Sequence, residues 1–198
     1  VPDLNPNVLL FNPHHITQRL LLDGEHVILR LLLPGDGELL GRYFEGLSEE
    51  TRRRFGPHPL TTGEAQDLCA RIDRHSALRF VALLPGTAPQ IIAYFILMLS
   101  AGEPETARYK EYGIQLDNAA DCAFAPSVAD AYQSRGLGSL LMPHIIEVAR
   151  RMGKRALVLM GGTQSTNTRA VGFYEKFGFE RVGSYFTEIE NYDMILRL

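Results

Sequence analysis

The chain has 198 residues, 45% hydrophobic and 22% charged, which suits one globular domain with a sizeable core. A formal net charge of −3 argues against nucleic acid as a partner. The two cysteines, Cys69 and Cys122, lie far apart without Cys-x-x-Cys spacing, so neither a disulfide framework nor a metal site is expected, and a reducing, cytoplasmic setting fits. No apolar run reaches membrane-spanning length, and the first residues lack a basic stretch followed by an apolar core, so no membrane association and no export signal are expected. A start at Val1 rather than Met leaves the native start open.

Residues 1–19 read as an extended arm ahead of a domain over 20–198. Pro2, Pro6 and Pro13 disfavour a helix, while Val8-Leu9-Leu10-Phe11 is an apolar patch. Such a patch docks on its own domain or on a partner subunit, which leaves a homodimer open. Residues 26–33 form a strand by length and β-branched content, closed by Pro34-Gly35. Asp36 is placed to cap the helix that follows, with Leu39, Leu40, Tyr43, Phe44 and Leu47 at helical spacing. Ser48-x-x-Thr51 starts another helix and runs into Arg52-Arg53-Arg54-Phe55. That basic run is either a solvated helix face or part of a substrate-facing rim. A third helix, capped at Thr61 or Thr62, turns Ala65, Leu68, Cys69 and Ile72 inward.

The pattern then changes to strands. Residues 78–84 and 90–99, on either side of Pro85-Gly86, read as an antiparallel pair. Residues 101–107 read as a polar loop, and 109–114 as further strand or a loop arm. A strand over 121–128 leads into a glycine-rich loop and a helix ending near Arg151. Residues 155–160 form a buried strand, followed by Gly161-Gly162 and a polar loop. Asn167 caps the last helix and Gly178 closes it. Residues 179–186 and 188–198 finish as a hairpin, with Tyr192, Met194, Leu196 and Leu198 alternating with Asp193, Ile195 and Arg197. The order predicts one mixed α/β sheet with helices on both faces.

The loop is Gln133-Ser134-Arg135-Gly136-Leu137-Gly138-Ser139. Strand, glycines two apart, then helix is a frame for phosphate. Glycines let backbone approach a ligand closely, and the free N–H groups of the first helical turn converge with the positive end of the helix dipole behind them.

Two motifs stand in order: Val128-x-Asp130-x-x-Gln133-x-x-Gly136-x-Gly138, then Asn167-x-x-Ala170-x-x-Phe173-Tyr174-x-Lys176-x-Gly178-Phe179. Together they resemble the GNAT superfamily of acyl-CoA-dependent N-acyltransferases. The element order over roughly residues 24–198 is similar too. Ile28-Leu29-Arg30, Pro34-x-Asp36 and Leu47-Ser48-x-x-Thr51-x-x-Arg54-Phe55 look like the start of GNAT domains that acetylate lysines of bacterial metabolic enzymes.

The resemblance implies a mostly antiparallel sheet whose two central parallel strands splay, acetyl-CoA as co-substrate, and an amine acceptor, either a small molecule or a protein lysine. It implies that the Val128 N–H faces the thioester carbonyl and that the N–H groups of Ser134, Arg135, Gly136, Leu137, Gly138 and Ser139, after Gln133, hold the pyrophosphate. Asn167 then meets the pantetheine arm with Phe173 nearby, and the Tyr174 hydroxyl protonates the leaving thiolate. Without the motif, Tyr174 reads equally as a core aromatic sharing a helix face with Ala170 and Phe177. The sequence departs from the pattern at Ala123, where the lysine-acetylating relatives carry a glutamate. Asp121, two residues earlier on the same strand face, is the remaining candidate base. Losing the glutamate keeps a second reading alive, a non-catalytic acyl-CoA-binding sensor. A dinucleotide-binding oxidoreductase is not supported, because the loop comes late in the chain and lacks the third glycine.

Overall fold

The computed structural model describes residues 3–198; Pro2 of the expected arm lies outside them. The elements are α1 (Pro6–Phe11), β1 (Gln18–Leu22), β2 (Glu25–Leu31), α2 (Gly37–Glu45), α3 (Glu49–Arg54), α4 (Thr62–Ala70), β3 (Ala77–Leu84) and β4 (Gln90–Met98). They continue with α5 (Glu103–Glu111), β5 (Asp121–Val128), α6 (Leu137–Arg151), β6 (Ala156–Leu159), β7 (Thr163–Gln164), α7 (Thr168–Lys176), β8 (Glu180–Phe186) and β9 (Glu190–Arg197). One sheet runs β1-β2-β3-β4-β5-β6-β9-β7, with β8 also paired to β9. Among the described residues only the β5–β6 pair is parallel. This is the expected mixed, mostly antiparallel sheet.

Helices cover both faces. On one, Leu9 of α1, Leu141 and Ile145 of α6, and Tyr174 of α7 pack over Phe95 and Phe124. On the other, Leu40 and Phe44 of α2 and Ala65 and Cys69 of α4 pack over Val81, Tyr94 and Ala125. Beside them, Tyr109 of α5 packs on Ala123, Val158 and Ile195.

The feature that makes a site is the short parallel ladder. It runs only from Asp121↔Ala156 to Phe124↔Leu159, whereas β5 stays paired with β4 as far as Ala93↔Val128. Past Phe124, one side of β5 therefore faces a gap. The Ala129 N–H donates to the Ile92 carbonyl at 2.9 Å, so by alternation the backbone groups of Ser127 and Ala125 point to β4 and those of Val128 and Pro126 point into the gap. Proline is tolerated at 126 because the β4 ladder asks for no donor there.

Four expectations need correction. Pro6 does not prevent a helix: it occupies the first position of α1, where its missing N–H costs nothing, and the Asn5 side chain accepts from the Val8 N–H at 3.2 Å. Residues 18–22 are an edge strand, so the boundary expected after residue 19 falls inside β1, and Leu4, Leu9 and Ile16 are part of the main core. Residues 103–111 form α5 rather than a loop; Pro104 sits in its first turn, and only Tyr109 and Glu105 turn fully inward, which leaves no apolar stripe to read. Asp36 makes no cap hydrogen bond to α2, but holds the Arg30 guanidinium at 2.6 and 2.8 Å and accepts from the Leu33 N–H at 2.8 Å.

The apolar patch of the arm divides. Leu9 is buried, whereas Phe11 is 91% exposed. Burial of a Leu or Ile side chain is worth about 1.5–3 kcal/mol, so deleting residues 1–19 should lower the melting temperature measured by calorimetry, even after the entropy regained by removing an ordered segment. An unchanged melting temperature would mean that Leu4, Leu9 and Ile16 add nothing to the core.

Candidate functional site

A cleft of about 490 Å3 opens where β5 and β6 part. Phe95 and Phe124 lie at its base, the end of β5 and the residues after β6 form its sides, and the starts of α6 and α7 close one end.

That end is built to receive acceptor atoms. Gly136 precedes α6 in the left-handed conformation, with φ of 84°, where an L side chain is strained. It offers no side chain to cap the helix, and the first intrahelical bond is Leu140 N–H to the Gly136 carbonyl at 2.9 Å. The N–H groups of Leu137, Gly138 and Ser139 are therefore the orphan donors of a helix of 15 residues, and all three residues line the cleft. Ser134, the residue at φ of 60°, also lines it.

Gln133 is engaged inside the protein. Its Nε2 donates to Thr51 Oγ1 and to the Val128 carbonyl, both at 3.0 Å, and its Oε1 accepts from Arg169 at 2.5 Å. Asp130 extends this brace, accepting from the Ser48 N–H, Ser48 Oγ and Thr51 Oγ1 at 2.8, 2.6 and 2.7 Å. Burial pushes the Asp130 carboxyl up, but these hydrogen bonds outweigh it and hold the pKa below its ordinary value. Start of α3, glycine loop and start of α7 are thus tied together across the cleft mouth. Arg135 turns away: its guanidinium pairs with Asp23 at 3.3 Å and Glu25 at 3.8 Å, so only its backbone remains near the loop.

The start of α6 meets the middle of α7 at Gly138 and Phe173. A Cβ there would sit 3.1 Å from the Phe173 ring, not against the ligand space anticipated for the pyrophosphate. Gly138→Val must displace that ring and shift the two helices. Acetyl-CoA affinity should fall by more than about tenfold, 1.4 kcal/mol, in calorimetric titration of the folded variant, and an unaltered affinity would refute the placement.

On α7, Asn167 caps the helix through Oδ1, accepting from the Ala170 N–H at 3.2 Å, and lines the cleft. Tyr174 is 7% exposed and reaches the cleft wall, its ring packed on Phe173 and Phe179 with centroids 5.4 and 5.3 Å apart. Burial alone raises its pKa, so the phenol stays protonated and able to donate throughout the ordinary pH range. It makes no hydrogen bond among the described residues.

Asp121 is not brought to this place. It lies at the opposite end of β5, 3% exposed, accepting from the Asp117 N–H at 2.7 Å and paired with Arg155 at 3.0 Å. Its carboxylate closes the turn before β5, and Ala123 beyond it is packed in the core under α5. Every ionisable side chain that lines the cleft is an arginine or a tyrosine.

The other end of the cleft was not legible as a site. There Tyr185 of the β8–β9 hairpin lies beside Gly161 and Gly162, and Thr187, Asn191, Met160, Phe55, Gly56 and Pro57 also line the cleft. A charged group behind this wall supports it. Arg108 holds the fully buried Asp193 through two bonds of 2.9 and 3.0 Å and lies 4.2 Å from the Tyr185 ring centroid. Glu105 accepts from the Gly161 N–H at 2.9 Å, and Tyr185 donates to the Gly161 carbonyl at 2.5 Å.

Known structures share this architecture. The GNAT domain of PAT from S. lividans superposes with a TM-score of 0.73 at 21% identity, covering 94% of this chain and 99% of that one. An acetyltransferase of the GNAT family from Streptococcus pneumoniae gives 0.62 at 24% identity, over 87% of this chain and 99% of that one. The aminoglycoside acetyltransferase AAC(6')-Ib, solved with coenzyme A and kanamycin, gives 0.62 at 22% identity, over 86% and 94%. No curated protein matches the chain in sequence. The model of the acetyltransferase (GNAT) family matches residues 45–179, and the chain belongs to that family.

Proposed function

We propose that this chain transfers an acetyl group from acetyl-CoA to an amine by direct attack. The observation that carries the reading is the run of orphan N–H groups at the uncapped start of α6, set at one end of the gap between β5 and β6. In this reading the pyrophosphate rests on the N–H groups of Leu137, Gly138 and Ser139, and the pantetheine arm lies along the open side of β5 past Asn167. The Val128 N–H polarises the thioester carbonyl. The amine nitrogen bonds to the carbonyl carbon, the C–S bond breaks, and the thiolate takes a proton from Tyr174 while the attacking nitrogen loses one. Solvent receives that proton, since Asp121 is held elsewhere. A cytoplasmic setting, where acyl-CoA is abundant, suits this chemistry; among the described residues no helix is long and apolar enough to cross a membrane.

The pH dependence follows from these groups. Only the neutral amine attacks, so kcat/KM for an amine of lysine-like basicity should rise about tenfold per pH unit up to about pH 10. Tyr174, with its pKa raised by burial, adds no falling limb below about pH 10. A bell with its maximum near neutral pH would point to a general base that the cleft lining does not supply. The cleft's set of ionisable groups also favours one second reading, an acyl-CoA sensor without turnover. Release of free CoA thiol on adding an amine panel to the acetyl-CoA complex separates the two.

A further inference from the structure

The sheet ends on one side at β1, and that edge is open. β1 and β2 are joined by the two-residue turn Asp23-Gly24, with φ of 51° and 87°, and pair from Leu22↔Glu25 to Gln18↔Leu29. Residues that flank such a turn exchange both N–H···O bonds. Leu22, Leu20 and Gln18 therefore aim their backbone groups at β2, and Leu21 and Arg19 aim theirs away from it. Those outward groups have no hydrogen-bond partner among the described residues.

Edge strands are commonly blunted by a proline, a lysine or a bulge. β1, Gln-Arg-Leu-Leu-Leu, has neither residue, and its register against β2 runs without a shift. Leu20 and Leu22 pack into the core that α6 covers, but Leu21, on the other face, is 60% exposed. Of the five large hydrophobic side chains exposed among the described residues, three, Leu10, Phe11 and Leu21, belong to this stretch of the arm and β1. An unpaired edge and an apolar surface thus coincide at one end of the sheet.

We propose that this edge pairs with the same edge of a second copy, about a twofold axis through Leu20. A twofold axis normal to the sheet makes the two strands antiparallel. With the axis at Leu20, Arg19 stands opposite the partner's Leu21, and Leu21 opposite the partner's Arg19. In both pairs the outward groups meet and exchange both bonds, while Leu20 faces the partner's Leu20 as the close, non-hydrogen-bonded pair. The Arg19 stem covers the partner's Leu21 and its guanidinium stays in water. The strand is complementary to itself in this register and not in its neighbours. An axis at Arg19 opposes two like charges, and an axis at Leu21 runs Arg19 against the turn at Asp23. At the other end of the sheet β7 has only two residues, so the contact is isologous and closes at two copies. A five-residue ladder falls short of a standard interface of about 800 Å2 per partner, so the dimer should be reversible, in the micromolar range. This proposal is independent of the transferase reading.

Sedimentation velocity of the full chain between about 1 and 200 µM should show monomer giving way to dimer, with nothing larger. Leu21→Pro removes an outward donor that the β2 ladder does not use, and Leu21→Lys keeps that donor but sets a second cation beside the partner's Arg19. Each should weaken the dimer by about tenfold or more while circular dichroism stays that of the parent. If Leu21→Pro does not fold, Leu21→Lys decides. Leu20→Cys should cross-link two copies in oxidised glutathione, because the Cα atoms of a non-hydrogen-bonded pair lie about 4.5 Å apart, within reach of a disulfide, and Cys69 and Cys122 are buried. A monomer at every concentration overturns the proposal. So does a dimer that the folded Leu21 variants leave intact, or one lost only in Phe11→Ser, which would place the contact on α1. A dimer in which Leu20→Cys forms no cross-link overturns the axis at Leu20.

Discussion

Replacing Tyr174 by Phe should lower kcat by about 10²–10⁴-fold and leave acetyl-CoA affinity within about twofold. The ring keeps its contacts with Phe173 and Phe179, so the packing that shapes this wall persists. The hydroxyl has no hydrogen-bond partner among the described residues to lose, so folding stability should scarcely move. In the proposed reaction, what disappears is the donor at the thiolate. Burial raises the phenol's pKa and makes it a reluctant acid, but it also guarantees that the proton is there when charge develops on sulfur. Turnover at the parent rate, measured under conditions where chemistry limits it, would sink the assignment and leave Tyr174 as a core aromatic.

Arg108→Met should destabilise the fold by about 3–5 kcal/mol, because the fully buried Asp193 would lose its guanidinium partner and, among the described residues, keep only the Tyr112 hydroxyl, at 3.1 Å. For a chain of this size that lowers the melting temperature by on the order of 10 °C. Arg108→Lys should rescue little, since the bonds of 2.9 and 3.0 Å come from Nε and Nη2 of one planar fork. This wall of the cleft should loosen as well, because the same guanidinium lies against Tyr185, whose hydroxyl ties down Gly161. A loss of less than about 1 kcal/mol would show that Asp193 finds water or another partner at little cost.

The parts that were legible in the sequence share a local cause. Strand-then-glycine-loop-then-helix, Asn167 before α7 and Gly178 after it, and the long apolar runs of β3 and β4 all declare themselves through residues close in the chain. The misses share the opposite cause. α5 is a polar helix anchored by Tyr109, whose hydroxyl reaches the Met194 carbonyl at 2.8 Å, and by Glu105 and Arg108, so much of its stability comes from contacts 85 residues away rather than from a periodic stripe. Asp193, which alternates with apolar residues on β9, is fully buried because the Arg108 that receives it belongs to that unrecognised helix. Pro6 and Pro104 both sit in first turns, where a proline permits a helix rather than stopping it. Asp121 was a candidate base from strand alternation alone; strand phase fixes which face a side chain is on, but not how far along the strand the cleft begins. Gln133 illustrates the same gap, since a motif position expected at the ligand serves to brace Thr51, the Val128 carbonyl and Arg169.

The most direct test adds a panel of amines to the protein saturated with acetyl-CoA and follows free CoA thiol together with the mass of the amine. One acetylated amine should form per thiol released, at a rate that depends on the amine and is lost in Tyr174→Phe. Tight binding of acetyl-CoA with no acetylated product from any amine, or thiol release independent of the amine, would contradict direct transfer at this cleft.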